Sequence, residues 1–263
     1  ALKKKIELVV IKMMAEKDKK DIIFKDIETY LDETSKYLKE LQDEFNKIAN
    51  EWGDKKLELE DKGAPENEIE KAEKTSSKYM DLSLSIDVDL GILYYEIATR
   101  LDNQDKKKEY FEKACVFFSN FFSGSESDSK AFYEGLIPYS RCLAQLGNTK
   151  DAYEYLNQAI NVALDNKDIF KETDEMFPFL LSLLMRGYYY TAEIAYNSKD
   201  YKKVKELQEG NTNSDGIEKN LRGFDISKIP EESFQFYYKF QLYYTQALWE
   251  LGENEKAKKL VAE

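Results

Sequence analysis

The side chains that most often do chemistry are either missing from this chain of 263 residues or present without order. It contains no histidine. That removes Ser-His-Asp and Cys-His nucleophilic pairs and the commonest transition-metal ligand. The 51 Asp and Glu residues make chance carboxylate pairs inevitable, yet no spacing singles out an acid and base of the kind a glycosidase needs. Cys115 and Cys142 are too few for a disulfide framework or a zinc site. Two buried thiols are expected, with a single bridge as the alternative. The run Asn211-Thr-Asn213-Ser-Asp215-Gly216 has the outline of a calcium loop, but it opens on Asn, and Arg222 stands where the closing Glu belongs. A positive charge there opposes a bound cation, so the run reads as a polar loop. Gly216 and Gly223 are isolated turn residues rather than a phosphate cradle. The expectation is a protein that is not an enzyme and needs no metal or cofactor.

What remains is aromatic. The chain has 19 tyrosines and 15 phenylalanines, many in two clusters. One is Tyr188-Tyr189-Tyr190 with Tyr196 and Tyr201; the other is Phe234, Phe236, Tyr237, Tyr238 and Phe240 with Tyr243 and Tyr244. Consecutive residues on a helix point about 100° apart, so the rings of one run cannot all enter one core. Packing between helices accounts for most of them. The rest are candidates to line a groove, because tyrosine offers a rigid apolar face with a polar tip.

The elements that position these rings are helices. Only 4 prolines and 11 glycines punctuate the chain, against 42% hydrophobic and 34% charged residues, a composition of globular rather than disordered protein. Leu2, Ile6, Val9, Val10, Met13 and Met14 fall on one helical stripe over residues 2–14. A longer helix is expected from Asp26 to Trp52, with Ile27, Leu31, Thr34, Leu38, Leu41, Phe45, Ile48 and Trp52 in steps of four and three. That is the seam of a helical hairpin or coiled coil, with its partner in this chain or in another. Gly53–Ser77 is strongly polar and reads as a charged loop broken at Gly63 and Pro65, re-entering helix near Glu66–Lys74.

The net charge of −12 repels a phosphate backbone and argues against nucleic-acid binding. Residues 1–25 are the exception, with eight lysines against four acids; a solvated helix face explains them more simply than a membrane surface does. No stretch approaches ~18 uncharged apolar residues, the length of a membrane span. The chain begins at Ala1 and ends inside a helical motif, which predicts a longer natural protein. Its compartment is left open between the cytoplasm and an extracytoplasmic space reached by a removed signal.

From residue 81 onward a helical motif recurs. Segment 132–164 places Gly147 at a turn, Leu143 ahead of it, Ala152 and Ala159 at small sites of the following helix, and Tyr139 and Leu156 between. The alanines allow paired helices to approach closely. Segment 240–263 repeats the pattern with Leu248, Gly252 and Ala257. Weaker copies have Asp102 where glycine is expected, followed by Phe111 and Ala114, and Asp200-Tyr201 at the turn followed by Val204. Over residues 84–263 the chain resembles the tetratricopeptide-repeat family, although equivalent positions lie about 45–53 residues apart rather than the family's 34.

The resemblance implies an all-α fold. It would be a right-handed α-solenoid of three to four tetratricopeptide-like helical pairs over residues 81–263; residues 1–80 show none of the resemblance, and there the 27–52 seam predicts a long helical hairpin. It also implies that the first helix of each pair lines a concave face, which aligns Glu96, Arg100, Arg141, Gln145, Tyr189, Glu193, Tyr196, Gln246 and Trp249 as inward positions. Glu96, Arg141, Glu193 and Gln246 occupy the asparagine site of the family's clamp for a terminal carboxylate, so the resemblance does not extend to that ligand. The function it implies is non-catalytic binding of another protein or a peptide. Two alternatives stand beside it: a structural or oligomerisation domain of a larger, membrane-associated protein, and a helical protein that binds carbohydrate or another small ligand.

Overall fold

The computed structural model describes residues 20–125, 130–166, 176–212, 215–222 and 231–262. Every regular element among them is a helix: α1 Lys20–Asp61, α2 Glu66–Arg100, α3 Gln104–Gly124, α4 Lys130–Gln145, α5 Thr149–Asp165, α6 Met176–Asn197, α7 Tyr201–Glu209, α8 Ile217–Leu221, α9 Glu231–Glu250 and α10 Asn254–Ala262. The expected all-α class is observed. The helix expected over residues 2–14 lies outside the described residues.

The chain divides into two compact units, Ala1–Ser127 with α1 to α3 and Asp128–Glu263 with α4 to α10. This differs from the boundary expected at 80/81, because α2 runs unbroken through that point. It differs also from the expected charged loop: within Gly53–Ser77 only residues 62–65 leave the helix. Polar sequence does not prevent helix here, because i,i+4 ion pairs occupy the outer faces. Lys56 reaches Glu60 at 3.8 Å, Lys62 reaches Glu58 at 3.5 Å and Lys74 reaches Glu70 at 2.6 Å. Such pairs support a helix at neighbouring turns on its surface. The inner stripe needs little more than the fully buried Ala72.

In the first unit α1 packs along α2, so the seam finds its partner within the chain. Leu31 and Thr34 are buried and Leu38, Leu41, Phe45, Ile48 and Trp52 half-buried. Beside the seam runs a ladder of polar links at every seventh residue of α1. Ser35 Oγ meets Tyr94 OH at 3.1 Å, and Gln42 donates to Asp87 at 2.8 Å and to the Ser83 carbonyl at 3.1 Å. The Ala49 carbonyl accepts from Ser76 at 2.8 Å, and Lys56 reaches Glu73 at 2.8 Å. α3 then closes on α2 through aromatic contacts: Tyr94 stacks on Phe117 at 5.5 Å and meets Tyr110 edge-on at 5.7 Å. Gly91 lets the two helices approach, since a Cβ there would come within 2.8 Å of the Phe118 ring. The turn between them uses an extended Leu101, and Asn103 caps α3. No left-handed residue is required, which is why Asp102 can replace the expected glycine.

The second unit contains three helical hairpins: α4/α5, α6/α7 and α9/α10. Their turns share one geometry. Gly147, Lys199 and Gly252 each take positive φ, and the next residue's N–H bonds five residues back: Asn148 to Leu143 at 2.9 Å, Asp200 to Ala195 at 2.8 Å and Glu253 to Leu248 at 2.8 Å. This is the Schellman closure of a helix C-terminus. Asn148 and Asp200 then cap the following helices. Ala152, Val204 and Ala257, one turn later, are fully buried. Each of α4, α5, α6 and α7 touches the next helix, α7 touches α9, and α9 touches α10; the first helices of successive hairpins also meet, α4 with α6 and α6 with α9. A close approach not foreseen from sequence lies at Gly187, where a Cβ would fall 2.7 Å from Ile160.

Candidate binding face

Three first helices, α4, α6 and α9, position the candidate site. α6 is central: Leu180, Leu184, Tyr188, Ala192 and Ala195 enter the core, which leaves Arg186, Tyr189, Glu193 and Tyr196 half-buried on one stripe at steps of three and four. On α9 the core takes Phe240, Tyr244, Ala247 and Leu248. Phe236, Lys239, Tyr243 and Gln246 follow on a stripe turned toward α6. α4 contributes Arg141, with Gln145 exposed one turn further on.

The rings mesh across these helices. The Tyr189 centroid lies 4.7 Å from Tyr190, 5.6 Å from Phe236 and 5.9 Å from Tyr243. Tyr196 lies 5.3 Å from Tyr243 and 5.4 Å from Tyr201. Three cations border them. The Arg141 guanidinium stacks 4.2 Å from the Tyr190 ring centre and donates to its hydroxyl at 3.3 Å. Arg186 lies 5.9 Å from the centre of Phe236, and Lys239 lies 5.8 Å from Phe236 and 5.9 Å from Tyr189. Such contacts contribute about 0.5–1 kcal/mol each when exposed and more as water is excluded.

The carboxylate within this set is Glu193, which accepts from Tyr189 OH at 3.1 Å. Burial, reinforced by the Glu193 charge, raises the hydroxyls of Tyr189 and Tyr243 above the ordinary tyrosine range. Both keep their protons at physiological pH, and Tyr189 donates its own to Glu193. Arg186 Nε is buried without a hydrogen-bond partner among the described residues, and an orphaned polar atom of this kind costs about 1–3 kcal/mol.

The structure thus brings Arg141, Tyr189, Glu193 and Tyr196 of the expected positions onto one face, with Gln145 and Gln246 exposed beside them. Trp249 is placed differently. It is 50% exposed and shares the outer stripe of α9 with Tyr238 (67%) and Leu242 (58%), opposite the residues that enter the core. Glu96 and Arg100 belong to the first unit, where they pair with each other at 3.3 Å. They were aligned on a turn that is not of the Schellman type. Phe236 belongs to the aromatic cluster expected to supply groove-lining rings, whereas Arg186 and Lys239 are not among the expected positions. Arg186 and Lys239 each stand thirteen residues before the left-handed turn residue of their hairpin, Lys199 and Gly252. A shared register against the turns could have found them, but Lys199 does not mark a left-handed turn as glycine does.

A polar cleft of about 550 Å³ lies elsewhere in the second unit, lined by Asn157, Asn161, Lys203, Glu206, Asn220 and the Tyr188 edge among others. Cys142 is buried and Cys115 half-buried, and the two are not joined in a disulfide. Of the loop that outlines a calcium site, residues 213 and 214 lie outside the description. In the rest, Asp215 is paired with Lys219 at 2.7 Å and Asn211 donates to Glu206 at 3.2 Å. Among the described residues no group of three or more His, Cys, Asp or Glu side chains could hold a metal ion, and no helix is long and apolar enough to cross a membrane. Compared with known proteins, the chain matches no family model, no curated protein and no solved structure.

Proposed function

We propose that this protein is a non-catalytic module that binds a peptide or a segment of another protein on the face formed by α4, α6 and α9. The observation that carries the reading is the ring mesh of half-buried Tyr189, Phe236 and Tyr243 with buried Tyr190 behind, bordered by cations. Rings on consecutive helices form a surface continuous enough for an extended chain. Support for a right-handed solenoid of tetratricopeptide-like hairpins comes from the repeated turn closure, from intervals of 52 and 53 residues between Gly147, Lys199 and Gly252, and from the contacts between successive first helices. In such an array the first helices would line the inner surface.

The test is selection of displayed random peptides on the immobilised protein, with the Tyr189→Ala/Lys239→Ala double variant as counter-target. Selected peptides are expected to bind the double variant at least tenfold more weakly, with the helical circular-dichroism signal retained. An empty selection, or peptides that bind both proteins equally, would sink the proposal.

One observation favours a second reading, self-association. Tyr238, Leu242 and Trp249 form an exposed apolar stripe along α9, and stripes of this kind often mark contact surfaces. Sedimentation velocity over a hundredfold concentration range, on wild type and Leu242→Glu, separates the readings. A constant monomer for wild type removes the second.

A further inference from the structure

The charge around Phe236 goes against the charge of the whole chain. The protein carries −12, yet Arg186 from α6 and Lys239 from α9 both lie within 6 Å of one ring centre. Two charges so placed are no more than about 12 Å apart. Among the described residues neither has a carboxylate partner, and Arg186 Nε has no hydrogen bond at all. Glu193, which accepts from Tyr189 at 3.1 Å, keeps its negative charge and offsets one of the two cations, so the group is left with a net positive charge. A half-buried guanidinium beside a second, exposed cation, neither held by a carboxylate among the described residues, favours an anion at this place.

Resting on the binding reading above, we infer that the partner is an acidic extended peptide. It places a side-chain carboxylate between Arg186 and Lys239 and an apolar side chain two residues along on the rings of Phe236 and Tyr189. Guanidinium presents paired donors that match the two oxygens of a carboxylate. Residues two apart on an extended chain face the same way, about 6.6–7 Å apart, so acid and apolar groups can both point at the protein. Three packed helices at about 8–10 Å spacing give a face roughly 16–20 Å across, enough for five or six extended residues at ~3.3 Å each. A nucleic acid fits poorly, because its dense phosphates would meet the chain's overall negative charge.

The probes are three fluorescein-labelled, C-terminally amidated dodecapeptides. One repeats glutamate-serine-leucine-serine; the other two replace glutamate by glutamine or by lysine. Fluorescence anisotropy with the full chain is expected to show the glutamate peptide binding at least tenfold more tightly than the glutamine peptide, with the lysine peptide weakest. Raising salt from 50 to 500 mM should narrow that ratio. Lys239→Gln, at an exposed position, and Arg186→Gln should each cut the glutamate-over-glutamine ratio to less than threefold, while Tyr189→Ala weakens all three peptides alike. Equal binding of glutamate and glutamine peptides, still lost in Tyr189→Ala, overturns the acidic preference and leaves the binding face standing. Binding of none of the three, or binding indifferent to Tyr189→Ala, overturns both. Because Lys239 is exposed, its variant keeps the test decisive even if Arg186→Gln unfolds.

Discussion

The two units build helical hairpins in different ways. In the first, α1 and α2 are 42 and 35 residues long and are held in register along their length by the ladder from Ser35, Gln42, Ala49 and Lys56 to Tyr94, Asp87, Ser76 and Glu73. In the second, the hairpins are short, and register is set at one end by a turn and by small residues just beyond it. A long narrow seam can slide, since each heptad offers the next a similar surface, and directional polar links remove that freedom. A short hairpin has no such freedom once its turn is fixed. It can therefore devote its outer stripe to rings and charges that serve another purpose.

Glycine sharpens this comparison most. Gly91→Ala should destabilise the first unit by up to about 2 kcal/mol, because overpacking against the fully buried Phe118 ring costs about 1–3 kcal/mol, set against a gain of roughly 1 kcal/mol in helix propensity. Hydrogen exchange resolved by peptide would place the loss in α2 and α3. A neutral or stabilised variant would mean that ring packing does not set the α2–α3 distance.

In the second unit the reverse substitution is informative. Lys199 holds φ at 62° where the two clearer copies use glycine. Non-glycine residues in this region are penalised by about 1–2 kcal/mol, offset by the greater flexibility glycine gives the unfolded chain. Lys199→Gly should therefore stabilise α6 and α7 by up to about 1 kcal/mol, read as a rise in thermal midpoint. A lower midpoint would show that the turn is held by the lysine side chain and not by backbone closure.

The smallest effect is in pH, and its sign differs between the units. Burial raises the Asp87 carboxyl above its usual range, against the pull of Gln42 and Lys39. Its contribution is favourable below the unfolded value of 3.8 and is lost as pH rises through the raised folded value. For Glu209 burial also pushes upward, but Lys256, Tyr244 and Lys205 outweigh it and the pKa falls. That contribution is present above 4.5 and lost as pH falls through the folded value. At pH 7, Asp87→Asn should slow exchange in the first unit, and Glu209→Gln should hasten it in the second. Each change should be a few tenths of a kcal/mol, since solvent screens the partly exposed Glu209 pairs. Equal signs would remove the electrostatic contrast.

Much of the helical layout was legible in the residues. The 27–52 seam, the break at Gly63 and Pro65, the turns at Gly147 and Gly252 and the small sites Ala152, Ala159 and Ala257 all follow from local rules of spacing and backbone conformation. Gly53–Ser77 reads as a loop because an exposed, ion-paired helix has the composition of one. Trp249 was assigned inward because a turn alignment fixes the level of a residue along its helix, while its direction also depends on which sides of α9 are covered.

By itself the sequence determined an all-helical chain with recurring turns and no histidine chemistry, since periodicity, turn residues and composition act over a few residues at a time. Tertiary structure decided three further things: that the seam closes within the chain, that the break between units falls after α3, and that Arg186, Lys239, Tyr189 and Phe236 share one surface. These depend on contacts between residues up to fifty or so positions apart. Such contacts come from how helices pack, which local residue order constrains only weakly.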